Sequence, residues 1–303
     1  MLTTPAVLLF PGQGTEAVGM AAGWETQTAW ADTVRAAEVH TGYPLLRLMR
    51  EGPLAELRFQ RHAPCVVLAH SVGVFRAWRH AGMPLPVAAT GHSMGFYSAL
   101  VAAGVVPIEA ALDLLSAVED LSEAAFADQP MGMAFVIGVS ELEVRQALLA
   151  HPSLVLSNRN GQAQFTVSGP VADLEPLVTA LQPSAFKLGL LPVQHPLHGP
   201  HMATLLPAIT RRLARVLPAD PAFPLLSHFD GRLLTTGQAA WDDGLASVTL
   251  PVDWPTVVAR VRTLGAPLAE CGHGSQLSGL TRWADRTLQV ASLQRPPEGP
   301  GQH

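Results

Sequence analysis

Ser93 sits between two glycines in the run Ala89-Thr90-Gly91-His92-Ser93-Met94-Gly95-Phe96-Tyr97. A Gly-x-Ser-x-Gly pattern fits a serine carried on a sharp strand-to-helix turn. Such a turn is strained, and a Cβ two positions either side of the serine would collide with the neighbouring strand or helix. The Oγ then stands clear of the backbone at a helix N-terminus, where the dipole and free N–H groups favour negative charge. The chemistry this points to is nucleophilic attack by a serine hydroxyl. A second glycine-rich turn, Pro11-Gly12-Gln13-Gly14-Thr15-Glu16, can aim backbone N–H groups into a cleft, a nest suited to an oxyanion. The alternative for such a Gly-x-Gly is an ordinary strand-to-helix loop.

A serine nucleophile needs a base. His195, His198 and His201 cluster roughly a hundred residues after Ser93, an order compatible with an α/β-hydrolase, but no acidic third member is evident. Metal ligation by these histidines is disfavoured, because Pro196 and Pro200 break a helical register and no cysteine or carboxylate cluster accompanies them. The residues alone indicate a serine–histidine acyl-transfer enzyme with an anion nest near its N-terminus.

Such residues must be positioned by regular elements. The apolar runs Ala6–Phe10 and Val87–Ala89 read as buried parallel strands, each ending at one of the two turns. Helical patterning is expected over roughly Met20–Arg50 (broken at Gly42-Tyr43-Pro44), Pro64–Arg79, Tyr97–Ala103 and Ile108–Ala125. The period then changes. Strand Met133–Gly138, a helix from Ser140, a hairpin of Leu154–Asn158 and Gln164–Gly169 turning at 159–162, helix Ala172–Leu181 and strand Phe186–Leu191 follow in the order β-α-β-β-α-β. That order is a ferredoxin-like unit, placed at residues 127–192. After it come a helix from Ala203 to Leu217, strand Pro224–Ser227, a helix from Trp254 to Leu264, strand Pro267–Cys271 and helix Leu277–Thr287. The expected fold is α/β: a parallel-sheet, α/β-hydrolase-like large domain over 1–126 and 193–290, an inserted ferredoxin-like small domain, and a disordered tail over 291–303.

The 303 residues, 48% hydrophobic and 14% charged, can bury a large core. No run approaches about 18 uninterrupted apolar residues, so no membrane span is expected. The start Met1-Leu2-Thr3-Thr4-Pro5 lacks the basic and cleavage features of a signal peptide. Cys65 and Cys271 form neither a disulfide framework nor a metal pattern, and a cytoplasmic protein is expected. A net charge of −5 argues against a nucleic-acid partner.

With these motifs in view, the chain resembles the malonyl-CoA:acyl-carrier-protein transacylase family. Phe10-Pro11-Gly12-Gln13-Gly14 matches its N-terminal FPGQG. Gly91-His92-Ser93-Met94-Gly95 with Tyr97-Ser98-Ala99-Leu100 matches GHSxGEYSAL. His195-Pro196-Leu197-His198 with Pro200 and Met202 is similar to HAFHSPLM, Asn158-x-Asn160 with Gln164 and Gly169 to its small-domain segment, and Pro251-Val252-x-Trp254 to its PVxW. The resemblance implies Ser93 as nucleophile, His198 as base, and the N–H groups of Gln13 and Met94 as oxyanion hole. Ser247 falls where a main-chain carbonyl orients the histidine, in place of an acid. It implies a ping-pong transfer from a CoA thioester, as substrate, to the phosphopantetheine thiol of an acyl carrier protein, in fatty acid or polyketide synthesis. No bound cofactor or metal, no membrane partner, and a monomer are the accompanying expectations. Arg76, Arg79, Arg159, Arg211, Arg212 and Arg215 are candidates for meeting an acidic carrier.

The chain departs from that pattern in the acyl pocket, assigned here to Ala63, Phe96, Val118, Met133 and His195. The family's malonyl-pairing arginine, 25 residues after the serine, is Val118. Its glutamine before Pro64 is Ala63, and its glutamate after GHSxG is Phe96. A carboxylate buried without its arginine would be uncompensated, at a cost of several kcal/mol. Arg159 or a shifted histidine could supply a cation; otherwise the apolar pocket suits a neutral acyl group. A thioesterase acting on a carrier protein or acyl-CoA is the alternative activity, and a catalytically weak carrier-binding subunit the alternative class.

Overall fold

Four consecutive apolar residues, Val7–Phe10, form the first strand and are buried at every position in the computed structural model, which describes residues 3–297. In chain order the strands are β1 (Val7–Phe10), β2 (Ala88–Gly91), β3 (Met131–Ile137), β4 (Val155–Gly161), β5 (Gln164–Pro170), β6 (Lys187–Leu190), β7 (Leu225–Leu226), β8 (Leu233–Leu234), β9 (Val252–Asp253), β10 (Leu268–Glu270) and β11 (Val290–Ser292). They build two sheets. The larger has the order β11-β10-β1-β2-β7-β8, parallel throughout except for the edge strand β8. The smaller has the order β6-β3-β5-β4-β9.

The larger sheet is covered on both faces, as a parallel sheet must be. Alternate residues of its central strands enter different cores. Leu8, Phe10 and Ala89 join a cluster with helices Thr28–Thr41, Ala63–His80, Gly95–Ala102 and Ile108–Ala125. Val7, Leu9 and Ala88 pack instead on helices Trp254–Thr263 and Gln276–Ala284. Helix Ala63–His80 buries most of its surface and carries Pro64 in its first turn, where the missing N–H costs nothing.

The smaller sheet follows the expected β-α-β-β-α-β order, with its antiparallel strands arranged β6-β3-β5-β4. Its helices Glu141–Leu148 and Val171–Leu181 pack on a separate core that includes Phe165, Val167, Leu174 and Leu177. Ser140 and Glu143 close a reciprocal cap on the first of these helices. A fifth strand, β9, pairs parallel to β4 through Asn158 and Arg159. The returning chain thereby ties the two sheets together beside the Ser93 turn.

Several elements differ from the sequence reading. The first helix begins at Thr28, not near Met20, because Gly19 and Gly23 adopt positive φ angles of 89° and 79° that no helix accommodates. The helix expected over Ala203–Leu217 is confined to Leu206–Arg212, with Pro207 fixing its start after a 3₁₀ turn at Pro200–Met202. β4 runs on to Gly161, so the hairpin turns at Gln162-Ala163. Helix Gly237–Ala246 and strand β8 were not anticipated. The expected tail is ordered over its first residues: Ala291 and Ser292 complete β11 and Leu293 is buried. Residues 298–303 of that tail lie outside the described residues. No helix among the described residues is long and apolar enough to cross a membrane.

Candidate active site

β2 ends at Gly91 and the next helix begins at Gly95, leaving three residues for the turn that carries Ser93. A Cβ on Gly91 would lie 2.0 Å from the Gly95 carbonyl carbon, and one on Gly95 would lie 2.1 Å from Phe10 O. The first glycine lets the turn close on itself; the second lets it seat against the end of β1. The first oxyanion-type turn is held in the same way, since a Cβ on Gly12 would approach His92 O to 2.7 Å. Thr15 Oγ1 donates to Gly12 O at 3.0 Å, and Gly14 N donates to Glu16 Oε2 at 2.8 Å. The two turns are therefore packed side by side.

Ser93 and His198 are the only non-glycine residues with positive φ among the described residues, at 54° and 59°. Such conformations cost about 1–3 kcal/mol each and persist where the surroundings impose them. Their side chains meet, with Ser93 Oγ 2.7 Å from His198 Nε2. The His198 main chain is fixed by its N–H donating to Val248 O at 3.0 Å. Burial, and secondarily the nearby His92, push the His198 ring down to about 4, against a smaller opposite effect of the Ser247 and Leu250 carbonyls. Neither carbonyl reaches Nδ1 with full hydrogen-bond geometry. The ring is neutral near pH 7 and can accept the Ser93 proton.

His92, inside the turn, points away from this pair. Its Nε2–H donates to Asn160 Oδ1 at 2.7 Å, and its ring meets Trp254 edge-on at 5.5 Å. This is the link between the Ser93 turn and β4. Burial holds the His92 ring below its ordinary value.

Ser93 opens onto a cavity of about 50 Å³. Gln13, Met94, Val118, His195, His198 and Ser247 line it, and Gln60, Leu115, Glu119, Gln194, Leu197 and Val248 join them. Neither the Gln13 nor the Met94 N–H has a hydrogen-bond acceptor among the described residues. Three expected pocket residues are elsewhere. Phe96 is fully buried and stacks on His228 at 4.8 Å, because the helix turns that position into the core. Ala63 is buried under the start of its helix, and its neighbour Pro64 reaches the cavity instead. Met133 is buried in β3 and does not reach the cavity.

Arg159 is not a pocket cation. It bonds Glu141 at 2.9 Å and Asp253 at 2.6 Å, joining β4 to β9. Sequence reasoning missed Glu119, whose Oε2 accepts from His195 Nε2–H at 2.8 Å inside the cavity wall. The available signal was its place beside Val118. Among the described residues no group of three or more histidine, cysteine or carboxylate side chains is arranged to hold a metal.

The arrangement can take a proton from a serine and return it to a leaving group. A family model described as "Acyl transferase domain" matches residues 7–242. The malonyl CoA-acyl carrier protein transacylase of Escherichia coli is 30% identical over 299 residues, 97% of each chain. That of Mycobacterium tuberculosis is 31% identical over 298 residues, covering 96% of this chain and 97% of the other. Among solved structures, an acyl-carrier-protein S-malonyltransferase from Burkholderia pseudomallei aligns with a TM-score of 0.89 at 28% identity over 97% of both chains. A malonyl-transacylase in complex with its type II polyketide acyl-carrier protein aligns equally well, over 96% of both chains at 28% identity.

Proposed function

The chain belongs to the acyl transferase domain family, and from that premise and the site geometry we propose that it moves an acyl group from a CoA thioester to the phosphopantetheine thiol of an acyl carrier protein. The observation that carries the reading is the Ser93 Oγ to His198 Nε2 contact of 2.7 Å, made by two residues held in strained conformations. Ser93 Oγ attacks the thioester carbonyl while His198 Nε2 takes its proton. The carbonyl oxygen becomes an oxyanion on the N–H groups of Gln13 and Met94, at the N-terminus of helix Gly95–Ala102. The carbon–sulfur bond breaks, and His198 returns the proton to the departing CoA sulfur. The carrier thiol then attacks the acyl-serine ester, its proton passing to His198 and finally to Ser93. The main-chain carbonyls at Ser247 and Leu250 favour the protonated imidazole, the part an acid plays in a triad.

The relatives named above are transacylases, which favours transfer over hydrolysis. On this reading residues 1–126 with 193–290, extended to Leu293, form the acyltransferase domain and 127–192 a ferredoxin-like insert. A cytoplasmic monomer that needs no bound cofactor is part of the same proposal. Of the arginines suggested for carrier contact, Arg159 and Arg212 are engaged with carboxylates, whereas Arg211 and Arg215 are exposed. The test is to incubate the protein with acyl-CoA and holo carrier protein, following CoA release and carrier mass together. Transfer predicts one acylated carrier for each CoA released, lost in Ser93→Ala. CoA released with unmodified carrier and free acid would replace transfer by hydrolysis.

A further inference from the structure

Helix Ile108–Ala125 closes one wall of the cavity with Leu115, Val118 and Glu119. Glu119 and His195 are both more than nine-tenths buried, and they are bonded to each other at 2.8 Å. Glu119 Oε1 and His195 Nδ1 have no other protein partner. No lysine or arginine lines the cavity. Arg61 lies in an adjoining cavity that shares the wall residues Gln60, Pro64, Leu115 and Glu119. Its guanidinium is bound by Asp120 at 2.8 Å and by Glu123. The His195 ring is itself turned to the Glu119 carboxyl, its Nε2–H bonded there.

An acyl group ending in a carboxylate would bring its charge against the buried carboxyl of Glu119. The wall offers no unmatched cation to offset that charge. An uncharged acyl group meets Val118, Leu115, Leu197 and Val248 instead. We propose that the Glu119–His195 pair sets the acyl specificity of this site, which accepts uncharged acyl thioesters and rejects carboxylated ones. The inference rests on the acyl-transfer reading above and goes beyond it by naming the substrate class.

Acetyl-CoA, propionyl-CoA and malonyl-CoA are presented singly to the whole protein, and the Ser93 adduct and CoA release are timed by intact mass. The expected result is loading by acetyl or propionyl at least about tenfold faster than by malonyl. Glu119→Gln removes the charge and preserves the shape, and Val118→Arg supplies a cation; each is expected to raise the malonyl-to-acetyl ratio by about tenfold or more. Malonyl loading as fast as acetyl in the unaltered protein overturns the specificity while leaving acyl transfer intact. So does a ratio that Glu119→Gln does not move, whatever the stability of the arginine variant. Absence of both adduct and CoA release with all three thioesters would remove the acyl-transfer reading itself, a distinct outcome.

Discussion

Gly95→Ala separates two opposed physical effects at one atom. Gly95 opens helix Gly95–Ala102 and its φ is not positive, so on helix propensity alone an alanine stabilises by about 0.5–1 kcal/mol. The new Cβ would lie 2.1 Å from Phe10 O and 2.7 Å from Pro11 O. Ordinary contact begins near 3.4 Å, so the turn must retreat from β1 by about 1.3 Å. Both obstacles are backbone atoms of a buried strand end and cannot rotate away. A displacement of that size is large against the 2.7 Å Ser93–His198 contact, which leaves hydrogen-bonding range beyond about 3.5 Å. It also displaces the Met94 N–H from the Gln13 turn. A misplacement of about 1 Å costs on the order of a hundredfold in rate. The expected outcome is a loss of kcat/KM of at least about a hundredfold in thioester turnover, together with a lower Tm. A Gly95→Ala protein that is fully active and melts higher would refute the steric account of the Ser93 turn.

Asn160→Ala should leave the His92 Nε2–H buried and unpaired, lowering stability by about 1–3 kcal/mol in urea titrations. His198→Ala removes the base and should slow acylation by about 10²–10⁴, with Ser93 still in place. Because burial holds His198 at about 4, acylation should persist well below pH 6 and fall with a midpoint near pH 4 in a pre-steady-state pH profile. Stability should also fall with acid. His198 and His70 are depressed to about 4 and about 3, so below about pH 6.5 the unfolded chain binds protons that the folded chain refuses. Urea midpoints at pH 7 and pH 5 should show the loss between the ordinary histidine value and pH 4.

The Ser93 turn was legible because its demands are local. Gly91 and Gly95 meet backbone within a few residues or at the end of the first strand, and only glycine fits. The small sheet was legible because its period and its Ser140 cap are written along the chain. Choosing among His195, His198 and His201 was different. Nothing in their spacing distinguishes them, and what sets His198 apart is its contact with Ser93, 105 positions away. Glu119 was hidden for a related reason. A glutamate on a patterned helix reads as a solvated charge, and its burial depends on His195, 76 positions away. Phe96 was misplaced because a motif position says nothing about helix phase; the turn of the helix gives that side chain to His228 and the core. Strand β11 has only three residues and little pattern, and it exists because β10 offers an open edge.

The central claim is that Ser93 carries the acyl group between donor and acceptor. Rapid quench after mixing with acyl-CoA, followed by peptide mapping, locates that group directly. The account predicts a single acylated peptide containing Ser93, absent in Ser93→Ala, formed slowly in His198→Ala and discharged on adding holo carrier protein. An acyl group on any other residue, or carrier acylation in Ser93→Ala at the unaltered rate, would contradict it.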